Sequence, residues 1–511
     1  MIAALLSYLG PLLLAIFFFY FLNLSLLFKN RDGFPRNWPI LGMSPSMLHH
    51  FHDMHNEIAK FANNCGSTYL FKGIWFTNTD FLATADAENV RHVMSTKSST
   101  YIKGSDWRKG FDIFGDALYN SDFEAWKHNR KIFHAFLNHQ KFHQLVEKII
   151  PTQIEKGLIP VLKHAAEQGL VVDLQDLFVR YSFDLASIIV RGCNPESLSV
   201  GLPRVAFSKA MDDAWEAAFF RFILPESLWK LQRWLQIGRE KKLYDARKVL
   251  DAIIAENTSM QRRQLKSEDD HEDVDDGYNF LKCYLTGHEV TGPTPTDKLI
   301  RDNALHMMVA IEDTNSTVLT WFFWIISKNP IVLKKIREEL TRSLLVKEEG
   351  ELQLPLNLNE TNKLVYLHAV VCETLRLFPP VPFEFRTATK SDILPSGHRV
   401  NEKMRVVICS HAMGRTRSIW GEDCHEFKPE RWITAEGKIK REPPSKFFAF
   451  ISGPRICLGK EFSFTLLKAT AASIILNYNV EVIPGENVTP KNSVLFQMKH
   501  GLMVKIKSMW N

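Results

Sequence analysis

The residues best suited to chemistry lie in one short segment near the C-terminus, Phe450-Ile451-Ser452-Gly453-Pro454-Arg455-Ile456-Cys457-Leu458-Gly459. The segment fits F-x-x-G-x-R-x-C-x-G, whose chance occurrence at average residue usage is on the order of 10⁻⁴. Gly453 and Gly459 permit a tight turn, while backbone N–H groups and the positive end of the following helix favour a thiolate at Cys457. A phosphate-binding loop is excluded, because it would have one residue fewer between its glycines.

This segment resembles the cysteine loop of the cytochromes P-450. The resemblance implies that the Cys457 thiolate ligates the iron of haem b, and that Arg455 lies among the groups around the haem. Such a thiolate pushes electron density toward the iron and favours cleavage of the O–O bond. The plain alternative for a lone cysteine is a small packed apolar side chain, and the flanking glycines and arginine argue against it.

A polar group interrupts the middle of a long apolar helical pattern at Ala310-Ile311-Glu312-Asp313-Thr314-Asn315. It resembles the (A/G)-G-x-(D/E)-T-(T/S) oxygen-activation motif of the same family. The resemblance implies that Asp313 and Thr314 are catalytic and relay protons. Ile311 stands where the family usually has glycine, and we expect it to narrow the space above the iron. A solvent-facing polar stripe is the alternative interpretation.

Further positions are similar to the family's haem-binding groups. Trp126 and Arg130 fit the W-x-x-x-R of the helix that holds the haem propionates. Both side chains donate hydrogen bonds, and a guanidinium suits a carboxylate. The resemblance adds Arg386 and Arg455 to this group. A surface helix with ordinary ion pairs is the alternative for the two-position motif.

A glutamate and two arginines resemble a structural network of the same family that orders the haem-binding face. Glu373 and Arg376 are three residues apart on one helical face, where they can pair. Arg431 offers a second guanidinium to the same carboxylate. We therefore assign these three residues to folding rather than to catalysis.

The elements that must position these residues are mostly helices. The longest helical pattern, Asp297–Asn329, contains no Gly or Pro and is followed by Pro330. Two hairpins are predicted, one over Thr68–Phe71 and Phe81–Thr84, and one around Leu394–His398. The predicted fold class is mainly α with small β-sheets, the cytochrome P-450 fold. With 511 residues, 45% of them hydrophobic, and no linker or repeat, the chain favours one large catalytic unit.

The N-terminal residues are typical of a membrane anchor. Residues 2–28 carry no charge, and Lys29 and Arg31 follow them. A helix of this length crosses about 30 Å of hydrocarbon. The positive charges after it favour a cytosolic position for the residues that follow. We predict a single transmembrane helix over residues 1–29, a proline-rich hinge over 30–45 and a haem-thiolate monooxygenase domain over 46–511. The seven cysteines, an odd number without a C-x-x-C pair, indicate a reducing compartment. The expected location is the endoplasmic reticulum membrane, facing the cytosol, and a cleaved secretory signal is the alternative.

The charge composition and the absence of one motif from the sequence limit the kinds of partner that the protein can have. Lys and Arg (63) exceed Asp and Glu (57) by six without a dense basic run, which argues against nucleic acid. No G-x-G-x-x-G occurs in the sequence, so the electrons must come from another protein. The resemblance implies that NADPH-cytochrome P-450 reductase, a separate membrane-bound flavoprotein, supplies them.

Longer phrases, including Leu319–Trp324 and Phe427–Ile433, are similar to the plant clan of fatty-acid and alkane hydroxylases, and above all to its midchain alkane hydroxylase family. The resemblance implies hydroxylation of a long-chain alkane or fatty-acyl compound. A specialised-metabolism oxidase of an aromatic or alkaloid substrate, acting by hydroxylation or oxidative phenol coupling, is the alternative that Ile311 favours. A haem sensor or a haem-thiolate isomerase would not need both Asp313 and Thr314.

The candidate substrate pocket is apolar, which suits a hydrophobic guest of either shape. The side chains expected to line it are Trp107, Phe111, Phe114, Trp215, Phe219, Val381–Phe383, Leu495 and Phe496. The histidines His49, His50, His52 and His55 lie beside the predicted hinge without an oxygen or sulfur partner. We expect them to form a solvated loop or a membrane-facing patch rather than a metal site.

Overall fold

The computed structural model describes residues 10–18, 20, 35–64, 66–77, 79–268, 277–287, 295–343, 358–485 and 488–509. The helices are α1 Ser44–His49, α2 Met54–Asn64, α3 Ala87–Arg91, α4 Gly104–Gly110, α5 Phe123–Asn138, α6 Gln140–Gln153, α7 Ile159–Glu167, α8 Leu174–Arg191, α9 Ala206–Ile223, α10 Glu226–Leu235, α11 Gly238–Glu268, α12 Phe280–Thr286, α13 Asp297–Ser327, α14 Pro330–Ser343, α15 Leu358–Lys363, α16 Val365–Leu377, α17 Ser410–Met413, α18 Arg417–Trp420 and α19 Lys460–Asn477. The strands are β1 Thr68–Phe71, β2 Phe81–Thr84, β3 Tyr101–Ile102, β4 Val171–Asp173, β5 Phe383–Ala388, β6 Asp392–Ile393, β7 Arg399–Val400, β8 Arg405–Cys409, β9 Tyr478–Val482 and β10 Met503–Ser508. The mainly helical fold class with small sheets is confirmed.

The strands form small sheets at the edges of the helical body. The largest has the order β1-β2-β8-β5-β3, a second has the order β4-β10-β9, and β6 pairs with β7. Both predicted hairpins are confirmed, because Thr68 pairs with Thr84 in antiparallel β1–β2 and Asp392 pairs with Val400 in β6–β7. The β1–β2 connection requires glycine at Gly73, where the Thr79 side chain occupies the space that a Cβ would need.

The predicted long helix is α13, which crosses the core along α8. The Thr296 hydroxyl accepts from the Leu299 N–H at 3.3 Å and caps its first turn. The helix ends at Ser327, two residues before the predicted Asn329, because Pro330 disfavours helical backbone in the residue before it. α11 is equally long, with 31 residues, but is more polar. A long buried helix can therefore carry functional groups at its middle, far from solvent.

Most of the predicted anchor, residues 1–29, lies outside the described residues. Residues 10–18 are helical, and Leu14 and Phe18 among them are exposed. In the described part of the chain, no helix is both long and apolar enough to cross a bilayer. Part of the predicted hinge is attached to the globule: Trp38 and Gly42 exchange two backbone hydrogen bonds of 2.8 Å, and the Met43 N–H donates to a carbonyl before β2.

Candidate active site

A cavity of about 280 Å³ lies between the middle of α13 and the cysteine loop, and we call it the inner chamber. Helix α5 and strand β5 contribute to its walls. Every residue that the sequence assigned to catalysis or to the cofactor lines this cavity: Trp126, Arg130, Asp313, Thr314, Arg386, Arg455 and Cys457. Segments more than three hundred residues apart in the chain thus meet around one space.

The cysteine loop turns sharply before α19. The Cys457 N–H donates to the Phe450 carbonyl oxygen at 2.9 Å and closes the loop. Gly453 has a φ of 71°, and a side chain there would collide with the Met94 carbonyl oxygen, so glycine is required by both backbone angle and space. Cys457 is exposed, and it lines the inner chamber. The loop therefore presents one sulfur to the cavity.

The groups around this sulfur act on its protonation in opposite directions. Burial raises the pKa of the Cys457 thiol, whereas the Gly459 amide, Arg130 and Lys460 lower it. The expected thiolate belongs to the iron-bound state of the site, in which the sulfur is a ligand. A metal ion bonded to the sulfur would supply the missing charge, because a coordinating thiol loses its proton outright.

The wall opposite the sulfur is the middle of α13. Ala310 and Thr314, one turn apart, are open to the chamber. The Thr314 hydroxyl donates to the Ala310 carbonyl oxygen at 2.8 Å, which fixes its position on the helix. Ile311 also lines the chamber, so its branched side chain takes up space that glycine would leave open.

Two adjacent buried carboxyl groups lie on the same stretch of α13. Asp313 accepts a 2.7 Å hydrogen bond from the Trp215 indole N–H, and Glu312 accepts one of 2.5 Å from the Ser208 hydroxyl. Burial raises the pKa of Asp313 to about 7, and burial next to Asp313 raises the pKa of Glu312 well above its usual range. The pair therefore holds a proton near neutral pH and can exchange it.

One side of the chamber is built around Arg455. Its Nη2 donates to the Asp122 carboxylate at 2.7 Å and to the Ser121 carbonyl oxygen at 3.1 Å. The guanidinium carbon lies 4.7 Å from the centroid of the Trp126 ring. Burial, followed by the charge of Arg386, lowers the pKa of Arg455 to about 10. This wall therefore carries a buried guanidinium group that is paired with Asp122 and lies near a second one, Arg386.

Arg386 and Lys103 form a second group of buried basic side chains in the chamber wall. Arg386 donates to the Glu384 carboxylate, and the Lys103 ammonium lies 3.3 Å from the same carboxylate. Burial lowers the pKa of Lys103 well below its usual range, although Glu384 opposes the shift. The Nη2 atom of Arg386 is buried and has no partner within the part of the chain that the structure describes. A buried unpaired donor of this kind needs an acceptor.

These groups together fit haem b. The guanidinium groups of Arg130, Arg386 and Arg455 line the chamber, and Glu384 and Asp122 each pair with one of them. The carboxylate of a haem propionate would suit these guanidinium groups and would give the buried Nη2 atom of Arg386 its acceptor. Among the described residues that line the chamber, Cys457 is the one thiol, and a thiolate sulfur is a suitable ligand for haem iron.

Several polar residues that line the chamber were not predicted from the sequence, among them Lys103, Tyr119, His306 and Glu384. Glu384 could have been found, because it lies two positions before Arg386 and so shares a face of the same strand. Burial lowers the pKa of His306 to about 3, so this imidazole is neutral. No local pattern marks the other three, which reach the chamber through tertiary packing.

A larger cavity of about 480 Å³, the outer chamber, adjoins the inner one. Tyr119 and Val494 line both cavities. The expected lining residues divide between them: Phe114, Trp215, Val381 and Leu495 line the inner chamber, and Trp107, Phe111, Phe219 and Phe383 line the outer one. Phe496 lines neither and instead stacks on Trp321, with ring centroids 5.2 Å apart.

The four histidines near the predicted hinge do not behave alike. His49 and His52 are exposed and His50 is half-buried, as a solvated loop requires. For His55 the expectation is wrong, because α2 turns it into the core between the rings of Phe383 and Phe496. Burial lowers its pKa to about 3. The described residues contain no group of three or more His, Cys, Asp or Glu side chains that could hold a metal ion.

The three residues assigned to folding, Glu373, Arg376 and Arg431, form one buried network. Arg376 donates to both Glu373 oxygens, at 2.7 and 2.8 Å, and Arg431 donates to the same carboxylate at 2.9 Å. The Trp432 indole and the Lys428 backbone N–H add bonds of 2.8 Å each. The carboxylate is fully buried and accepts from every side, so it ties α16 to the segment after α18.

Comparisons with known proteins agree with this geometry. The family model described as cytochrome P-450 matches residues 33–506. The chain is 39% identical to alkane hydroxylase MAH1 of Arabidopsis thaliana, over 97% of this chain and 97% of that protein. It is 38% identical to noroxomaritidine synthase 1 of Narcissus pseudonarcissus (94% and 92%), and 35% identical to cytochrome P-450 86B1 of Arabidopsis thaliana (97% and 89%).

Proposed function

Because this chain belongs to the cytochrome P-450 family, we propose that it is a monooxygenase that hydroxylates a long-chain alkane or fatty-acyl compound. Members of the family use haem-thiolate iron and take electrons from a reductase. The observation that supports an elongated substrate is the pair of adjoining apolar chambers, about 280 and 480 Å³, that share Tyr119 and Val494. A flexible chain can place one carbon near Cys457 while its remainder lies in the outer chamber.

The residues of the inner chamber have distinct roles in this proposal. Cys457 ligates the iron, and Arg386, Arg455, Arg130 and Trp126 hold the propionates. When bound, the haem supplies the activation of molecular oxygen. Thr314 orients a proton toward the chamber, and Asp313 supplies that proton. The apolar lining excludes water, so that electrons and protons are used on the substrate.

Two observations favour a second candidate, an oxidase of an aromatic or alkaloid substrate. Ile311 narrows the inner chamber, whose walls include the rings of Phe114, Tyr119 and Phe133. A flat aromatic substrate can stack between such walls. The Narcissus noroxomaritidine synthases also match this chain almost as well as the alkane hydroxylase does.

Product analysis separates the two candidates. Microsomes containing the chain and a reductase receive a long-chain alkane, a long-chain fatty acid and a phenolic alkaloid in separate reactions, and products are identified by mass. The proposal predicts the gain of one oxygen atom on an aliphatic substrate. Val494→Phe, at the junction of the chambers, should lower turnover of long chains by roughly tenfold and of short chains much less. Oxidation of the alkaloid alone, with loss of two hydrogens, would instead support the second candidate.

We also propose that the chain is anchored in the endoplasmic reticulum membrane by one helix within residues 1–29, with the catalytic domain in the cytosol. Exposed apolar side chains on two segments support this, and we call them the rim patch. They are Ile40, Leu41, Leu48, Trp75, Phe76, Leu228, Leu231, Trp234, Leu235 and Ile237. The Trp75 N–H donates to the Ile40 carbonyl oxygen at 2.8 Å, and Thr77 lines a small cavity with Glu226, so the segment around Trp75 lies near the first turn of α10.

The rim patch gives a testable expectation. A membrane-dissolved substrate would enter the outer chamber directly, so Trp234→Asp and Phe76→Asp should raise KM several-fold at unchanged kcat, because a charge at the interface opposes immersion. Ile331→Asp, at an exposed apolar residue on α14, is the matched control and should leave both constants unchanged. Equal KM values in all four proteins would contradict membrane contact by this patch.

A further inference from the structure

Helix α9 turns one face toward the buried carboxyl pair of α13. Ser208, Asp212 and Trp215 follow a spacing of four and then three residues, which places them on the same side of the helix. Ser208 bonds Glu312, and Trp215 bonds Asp313. α9 therefore contacts the proton-holding residues of α13 at two points.

The Trp215 side chain contacts both the inner chamber and Asp313. Its ring lines the inner chamber and packs on Phe114, with ring centroids 5.3 Å apart. Its indole N–H donates to the Asp313 Oδ2 atom at 2.7 Å, while Gln497 lies 3.5 Å from Oδ1. One side chain thus contacts both the space for substrate and the acid beside Thr314.

The opposite end of this cluster reaches solvent. Lys491 lies 3.1 Å from the Asp212 carboxylate, and both side chains are partly exposed, at 28% and 44%. The negative charge of Asp212 raises the pKa of Asp313, and the positive charge of Lys491 lowers it. Asp212 lies between Ser208 and Trp215 on the face of α9 that contacts the buried carboxyl pair, and Asp313 itself is 4% exposed.

We propose that Trp215 is a positioning residue for proton delivery, holding the Asp313 carboxyl group beside Thr314, and that the Asp212–Lys491 ion pair is the solvent end of the proton path. This inference rests on the function proposed above. It assigns to the face of α9 a role in the reaction, in addition to its role as chamber wall.

One proton moves along the proposed path in each transfer. A proton taken from solvent at the ion pair reaches the Asp313 carboxylate and forms a carboxylic acid. The acid then passes its O–H proton to the Thr314 hydroxyl oxygen while that hydroxyl releases its own proton into the chamber. Thr314 stays neutral, and Asp313 returns to a carboxylate that keeps its bond from Trp215. No electrons move in these steps.

Electrostatics supports the path. Burial raises the pKa of Asp313 to about 7, the Trp215 N–H lowers it, Asp212 raises it and Lys491 lowers it. Burial and the neighbouring Asp313 raise the pKa of Glu312 well above its usual range, and Ser208, Asp184 and Arg191 face the same carboxyl group. Asp313 is therefore the member of the pair that exchanges a proton near neutral pH.

The experiment is an infrared pH titration of the protonated carboxyl band in the full-length holoenzyme, with Asp313→Asn identifying the band. Trp215→Phe removes a hydrogen bond to the charged form, and Lys491→Gln removes a positive charge, so both should move the midpoint to higher pH by about one pH unit. Asp212→Asn should move it to lower pH. Phe114→Leu is the matched control, since it alters the same chamber wall without touching Asp313, and should leave the midpoint unchanged.

A second readout is the share of NADPH electrons that appears in product rather than in hydrogen peroxide. Trp215→Phe should lower this share by about tenfold, as expected for one lost hydrogen bond to a charged group. The same substitution in the Asp313→Asn background should add nothing, because Trp215 acts through Asp313.

An unchanged midpoint in Trp215→Phe, or in both charge variants, would overturn the proposal whatever the substrate. The charge variants lie at the surface, so they test it even where Trp215→Phe fails to fold. Failure of the proposed function is distinguishable, because it would appear as a wild-type protein that titrates as described yet oxidises none of the supplied substrates.

Discussion

Replacing Cys457 with serine is expected to abolish turnover. The serine hydroxyl cannot provide the soft anionic sulfur that haem-thiolate chemistry requires, and its proton is far harder to remove than that of a thiol. Loss of this ligand removes several kcal/mol of stabilisation in the oxidation step, more than about a hundredfold in rate. Haem content, the ferrous-carbonyl spectrum and NADPH-dependent product formation measure the effect.

The chain offers a matched control. Cys193 is a half-exposed free cysteine just after α8, and it does not line either chamber. Cys193→Ser should keep the spectrum and the turnover of the unaltered protein. A serine at position 457 that retained both, or a Cys193→Ser variant that lost both, would contradict the assignment of the iron ligand.

The second large effect is expected at Glu373, which touches no part of the inner chamber. Glu373→Gln leaves the Arg376 and Arg431 guanidinium groups facing a neutral amide in a fully buried site. Removing one partner of a buried ion pair costs about 3–5 kcal/mol, because the remaining charges lose their compensation. The variant should therefore give little haem-loaded protein, and what forms should unfold at lower denaturant concentration.

A surface ion pair nearby provides the comparison. Glu430 lies 2.6 Å from Lys335, and both side chains are nearly half exposed. Glu430→Gln should change the free energy of unfolding by about 1 kcal/mol or less, as is typical of exposed pairs. Equal effects of the two substitutions would show that the buried network does not organise this region.

The sequence was most informative where chemistry restricts the residue type. Cys457, Thr314 and Arg130 were identified by motifs, and the fold brings all three to one chamber. The hairpins and α13 were predictable because alternation, helical spacing and proline act locally. These features depend on few neighbours, so short segments reveal them.

Other features depend on packing between distant segments. The burial of His55 follows from the contacts of α2 with Phe383 and Phe496, which no local pattern contains. The raised pKa of the Cys457 thiol is a consequence of burial, which outweighs the local amide and the nearby cations. The bond from Trp215 to Asp313 joins two helices almost a hundred residues apart. Such effects can be read only after the chain has folded.

The central claim is that the inner chamber holds haem bound through the Cys457 sulfur. The most direct measurement is the carbon monoxide difference spectrum of the purified, reduced, full-length protein. The account predicts the long-wavelength Soret band of a thiolate-ligated ferrous-carbonyl haem. A stoichiometric haem whose band lies at the shorter wavelength of a histidine or neutral thiol ligand, or a protein that binds no haem when haem is plentiful, would contradict it.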